Sequence, residues 1–189
     1  MSFDSLALSD GIYWFKGKNG SGKSTLFKSI AGVIPFDGDI VCNTFSVKSQ
    51  PIDYRMLVNY SETDPEFPPF LTLNDLTSYI NKTKKGSSRY AEELITKLGM
   101  HPFKNQPVGT FSSGMLKKTG LILSFIGNPA WIVLDEPFST LDDDSTRILS
   151  DLIESLHQKG VNFIISSHIE EDQHLPFTQI VQLSGGSIE

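Results

Sequence analysis

A single cysteine, Cys42, in a chain of 189 residues excludes an internal disulfide and a multi-cysteine metal site. Its expected use is to fill space in or near a strand. No stretch approaches the roughly 18 apolar residues of a membrane-spanning helix. The segment before Asp10 has neither the basic start nor the apolar run of a secretory leader. Positive charge is also short. Against 22 Asp and Glu stand 16 Lys and Arg, a net charge of −6, which removes the electrostatic case for a nucleic-acid partner. Internal repeats and low-complexity tracts are absent. What remains is an ordinary globular composition for one domain, and a cytoplasmic location is expected.

The informative stretch is Gly17, Lys18, Asn19, Gly20, Ser21, Gly22, Lys23, Ser24 and Thr25. Gly17, Gly22, Lys23 and Ser24 fit the pattern of a phosphate-binding loop, G-x-x-x-x-G-K-[ST]. Glycines let the backbone curl with its amides facing an anion. Lys23 brings positive charge to the outer phosphates, and the Ser24 hydroxyl is placed to ligate Mg²⁺. The apolar run at residues 12–15 before it reads as a buried strand. Leu26, Phe27 and Ile30 after it carry helical spacing, with Gly32 where a C′ glycine belongs. The helix N-terminus adds partial positive charge at the loop.

Strand and helix alternate over the rest of the chain. Strands are expected at 2–8 (an edge strand), within 39–47, at 56–60, 131–134, 161–165 and 180–183. Helices are expected at 71–80, 89–98 and 115–126, and from 142 onward, where Ile148, Leu149, Leu152, Ile153 and Leu156 form a buried stripe. Gly120 inside the third of these implies close packing. Residues 62–70 are a proline-rich loop. The reading is an α/β fold with a mostly parallel central sheet, a small antiparallel β part and a helical insertion. The core comprises about 1–62 and 115–189, and the helical part about 63–114.

A second chemical signal ends the strand at 131–134: Asp135 and Glu136. An acid at the end of a buried strand holds Mg²⁺ in phosphate-loop proteins, which assigns the metal to Ser24 and Asp135. Glu136 is placed to polarise an attacking water, a role worth about 10²–10⁴-fold in rate.

With these motifs in order, the chain resembles the nucleotide-binding domain of the ATP-binding cassette (ABC) family, a phosphate-loop NTPase fold. Residues 17–25 resemble Walker A, and residues 131–136 resemble Walker B with its catalytic glutamate. Phe111-Ser112-Ser113-Gly114-Met115 resembles the family signature. Ser139-Thr140-Leu141-Asp142 resembles the D-loop, and Ser166-Ser167-His168 the switch histidine. The resemblance implies two cassettes, a second copy or a paralogue, paired head to tail around ATP. Ser112, Ser113 and Gly114 of one would cap the phosphates held by the other, and His168 would touch the γ-phosphate. It further implies an ATP-hydrolysing subunit, peripheral on the cytoplasmic face of a membrane, that energises a separate transporter subunit. That partner would dock along about 63–76, where Phe67 and Phe70 offer apolar surface. The competing expectations are a soluble ABC ATPase unconnected with transport and a regulatory module that binds nucleotide but barely turns it over.

The sequence departs from the family pattern at three places. Thr63 aligns best with the family's loop glutamine and Glu62 is the alternative stand-in, and with either one hydrolysis is expected to be slow. Ser113 replaces the signature's first glycine. No aromatic precedes the opening segment to stack on adenine, an interaction worth about 1–3 kcal/mol per base in nucleic-acid complexes, so weak binding with poor ATP/GTP discrimination is expected.

Overall fold

The computed structural model describes residues 5–167, 175–184 and 187–188. β1 (Ile12–Lys16) leads through the glycine loop into α1 (Lys23–Ile30). Gly32, at φ +67°, follows the end of α1 in the left-handed region, where glycine carries no Cβ penalty. A two-residue pair, β2 (Val41–Cys42) and β3 (Phe45–Ser46), follows as an antiparallel hairpin with Cys42 buried. α2 (Pro51–Leu57) runs into β4 (Val58–Ser61). Then come α3 (Leu73–Thr83), α4 (Ser88–Lys97) and α5 (Ser113–Ser124). β5 (Trp131–Leu134), α6 (Asp143–His157), β6 (Asn162–Ser166), β7 (Gln179–Ser184) and β8 (Ser187–Ile188) complete the order.

The main sheet has the order β4-β5-β6-β1-β7-β8. The first five strands are parallel, and β8 turns back antiparallel on β7. The central strands β1, β5 and β6 are covered on both faces and are largely apolar, their side chains alternating between two cores, while β7 alternates buried and exposed residues toward its end. Ile12, Ile132, Leu134, Phe163 and Ile165 face the core shared with α3, α4, α5 and α6. Tyr13, Phe15, Val133 and Ile164 face the core formed with α1 and α2, where Phe27 meets Phe15 edge-on at 5.6 Å.

The expected α/β class, parallel sheet, antiparallel pair and helical region are all present. Three local expectations need correction. Residues 5–9 form no strand; Leu6 and Leu8 pack against the second core as irregular chain. Met56 and Leu57 end a helix rather than open a strand, so β4 begins at Val58. α2 itself was not foreseen. It has seven residues, too few to display a helical period, and its one strong mark is Pro51 in the first turn. Gly120 performs the packing expected of it: a Cβ there would lie 3.0 Å from Pro65 Cγ and 3.2 Å from Ser61 Oγ, so α5 presses closely on the end of β4.

Candidate functional site

Strand register decides which residues meet. Phe15 pairs with Ser166, Leu134 with Ile165, and Ser61 with Leu134. The glycine loop after β1, Asp135 after β5 and the segment after β4 therefore emerge at one end of the sheet. In open parallel sheets the crevice beyond the carboxyl ends of the strands is where ligands bind.

Within the loop, Gly20 and Gly22 have φ of +78° and +101°. A Cβ on Gly17 would lie 2.6 Å from the Leu183 carbonyl oxygen and 2.6 Å from Ser21 Oγ. Any side chain at Gly17 would therefore collide with backbone. Lys23 is buried and folds back over the loop. Its Nζ donates to the Gly17 carbonyl at 2.6 Å and to the Lys18 carbonyl at 3.3 Å. Gly22 caps α1 without a side chain, and no acid lies in the first turn. The first amides of α1 thus lack side-chain acceptors. Ser21 Oγ is buried with no hydrogen-bond partner among the described residues. A cradle of glycines, a buried ammonium and uncapped helix amides fits a phosphate chain.

The acids are set with equal definition. Asp135 is buried, and its amide donates to the Ser61 carbonyl at 2.9 Å. Ser166, wholly buried, donates from Oγ to Asp135 Oδ1 at 2.6 Å. The same Oγ accepts from the Glu136 amide at 2.9 Å. Glu136 adopts φ +49°, rare for a residue with a side chain. Its carbonyl accepts from the Ser139 amide at 3.2 Å and the Ser139 hydroxyl at 2.8 Å. A backbone held in a sparsely populated region by several bonds is common at catalytic sites. Among the described residues no cluster of three His, Cys, Asp or Glu could cage a metal. Mg²⁺ takes one or two protein oxygens and draws the rest from phosphates and water, and the Ser24 hydroxyl and Asp135 carboxylate are oxygen donors of that kind.

Lys117 is a site residue that sequence reasoning did not single out. It is 2% exposed on α5, and its Nζ donates to the carbonyls of Glu62 at 3.3 Å, of Thr63, and of Asp135 at 3.5 Å. Burial pushes its pKa down, while Asp64, Asp135 and Glu136 pull it back up. A signal did exist: Lys117 precedes Leu121 by four residues and Ser124 by seven, which puts a cation on the buried stripe of a helix. At the place of the expected glutamine, the Glu62 carboxylate pairs with Lys28 of α1 at 3.0 Å.

The signature lies on the surface. Ser112 and Ser113 are exposed at the start of α5, where Ser112 Oγ accepts from the Met115 amide at 3.3 Å. A Cβ on Gly114 would approach the Thr140 carbonyl to 3.1 Å, so the signature and the 139–142 loop touch. Lys118 adds an ion pair to Asp142 at 3.1 Å. His168 lies outside the described residues.

A groove of about 390 Å³ runs beside the site, with Arg55, Tyr60, Phe67, Lys84 and Leu123 on its walls. Burial, then the nearby Arg55, pushes Lys84 down to about 8. Phe67 lines this groove and Phe70 is exposed, whereas Leu73 and Leu76 are buried in the core.

Comparison with known proteins agrees with this geometry. Residues 5–139 match the ABC transporter family. The chain is 31% identical over 166 residues to the lantibiotic transport ATP-binding protein SrtF of Streptococcus pyogenes, covering 87% of this chain and 71% of that one. It is 28% identical over 177 residues to the uncharacterized ABC transporter ATP-binding protein YxlF of Bacillus subtilis, covering 91% of this chain but only 58% of that protein. Among solved structures, an ATP-binding subunit of an ABC transporter superposes with a TM-score of 0.87 at 26% identity, over 95% of this chain and 77% of that one. A cassette solved as a post-hydrolysis dimer bound to ADP and Pi shares the fold, with a TM-score of 0.85 at 19% identity, over 97% of this chain and 86% of that one. The glycine cradle, the acid pair and these matches lead to one conclusion: the chain belongs to the ABC transporter family, as one of its ATP-binding, ATP-hydrolysing cassettes.

Proposed function

We propose that the chain hydrolyses Mg-ATP between two head-to-tail cassettes and transmits the resulting movement to a separate membrane subunit. The observation that carries the reading is the convergence of the residue 17–25 cradle and the buried Asp135–Glu136 pair at one end of the sheet. Lys23 leaves its two carbonyl acceptors for the outer phosphates. The amides of residues 20–25 and the start of α1 take the remaining phosphate oxygens. Ser24 and Asp135 would hold Mg²⁺, which would offset charge on the phosphates. Glu136 accepts a proton on its carboxylate as water attacks the γ-phosphorus and the bond from that phosphorus to the β–γ bridging oxygen breaks, releasing ADP and inorganic phosphate. Ser112, Ser113 and Gly114 cap the partner's nucleotide from the exposed N-terminus of α5, and His168 completes the γ-phosphate contacts. The helical part at about 63–114 is the docking side, and the groove along Tyr60 and Phe67 receives a short helix of the membrane subunit. The chain would then sit at the cytoplasmic face through that subunit. No helix among the described residues is long and apolar enough to cross a membrane.

Glu136→Gln tests the reading. It should lower turnover by about 10²–10⁴-fold, retain ATP binding, and trap an ATP-dependent dimer visible by size-exclusion chromatography. Equal turnover of the two proteins would favour the nucleotide-binding regulatory module instead.

A further inference from the structure

The buried ammonium of Lys117 has no part in the chemistry just described. Yet its three acceptors are two consecutive carbonyls after β4 and the carbonyl of Asp135 after β5. Those segments carry the loop beside the docking groove and the acid pair. Lys117 itself belongs to α5, whose first residues are the signature. One side chain thus ties the signature helix, the residue 62–63 loop and the catalytic strand end together. The strands below do not make this tie. The Asp135 amide bonds to Ser61 one residue earlier, and beyond Ser61 the chain leaves the sheet. The Glu62 carboxylate pairs with Lys28 of α1, while its backbone carbonyl accepts from Lys117 of α5. In place of the expected glutamine, two backbone carbonyls of the loop meet the cation, and the Asp64 charge adds attraction from the same loop.

We infer that Lys117 is a positioning residue for ATP hydrolysis. It fixes the residue 62–63 loop against the Asp135–Glu136 turn and so makes the placement of Glu136 depend on the seating of the signature helix. Displacement of reacting groups by about 1 Å costs roughly 10²-fold in rate. Removal of the ammonium is therefore read in kcat, while the nucleotide cradle, built from residues 17–25, keeps its affinity.

The test uses the whole chain with Lys117→Met, Lys117→Gln and Lys117→Arg. Lys117→Met should lower kcat by roughly 10–10²-fold with KM for ATP changed less than about threefold. Lys117→Arg, which keeps a cation able to reach several carbonyls, should recover most of the turnover. Independently of activity, amide hydrogen exchange in nucleotide-free protein should quicken at residues 62–66 and 135–137 in Lys117→Met and not at 17–25. If Lys117→Met does not fold, Lys117→Gln, one bond shorter and neutral, serves instead and should show the same loss of kcat. Native kcat in either neutral variant would overturn the inference. So would a loss of kcat matched by an equal loss of ATP affinity and faster exchange throughout the sheet, because that pattern marks a general structural defect.

Discussion

The Ser166 hydroxyl accepts from the Glu136 amide and donates to the Asp135 carboxylate, with no solvent access. One oxygen therefore orients both acids: the carboxylate of the first and the left-handed backbone of the second. Ser166→Ala leaves a buried amide and a buried carboxylate oxygen without that partner. A buried group left unsatisfied costs about 1–3 kcal/mol, and loss of such a supporting contact typically lowers activity 10–100-fold. We expect Ser166→Ala to show both effects, read by thermal melting and by ATP turnover. Native turnover would mean that the strand backbone alone orients Asp135. The sequence named Ser166 only as part of a run before His168. Its role depends on pairing across 31 positions of sequence, which no local pattern contains. Lys23 and Asp135 were legible because each follows a contiguous signal in the chain, the glycine loop before α1 and the apolar run of β5.

Among the elements, α6 shows how a cap couples stability to the site. Asp142 precedes its first turn, and its carboxylate accepts from the Ser145 amide at 2.8 Å. The bonds to Ser145, then Lys118, hold the Asp142 carboxyl well below the usual carboxylate range. A depressed carboxylate stabilises the fold at every pH above its unfolded value, about 3.9. That contribution is lost as pH falls through the native value. Removing an N-cap costs about 0.5–2 kcal/mol. Asp142→Ala should therefore melt lower than the native chain at pH 7, with the gap narrowing below pH 4. A gap unchanged down to pH 3 would show that the side chain acts by packing and not as a charged cap. The helix start was legible from three consecutive acids, and the buried stripe of α6 from its spacing. By contrast α2 was hidden by its brevity, and the strand expectation fails over residues 5–8 because alternation alone does not supply a neighbour to pair with.

Over the whole molecule, the groove and the signature stand on surfaces that the chain by itself leaves open. Phe67 packs partly on the core while lining the groove, and Tyr60 and Leu123 flank it. Phe67→Asp should leave ATP affinity unchanged and abolish cosedimentation with membrane vesicles that carry the partner subunit. Equal sedimentation of both proteins would move docking elsewhere. Taken alone, the sequence determined the α/β class, the nucleotide cradle and the acid pair, because each is written in contiguous residues whose spacing is set by one turn, one strand or one helix. Only the tertiary structure decided that Ser166 bonds to both acids, that Lys117 bridges three segments, and that Leu73 and Leu76 are buried in the core. Those outcomes depend on which distant segments burial brings together, and burial is settled by packing the whole chain at once.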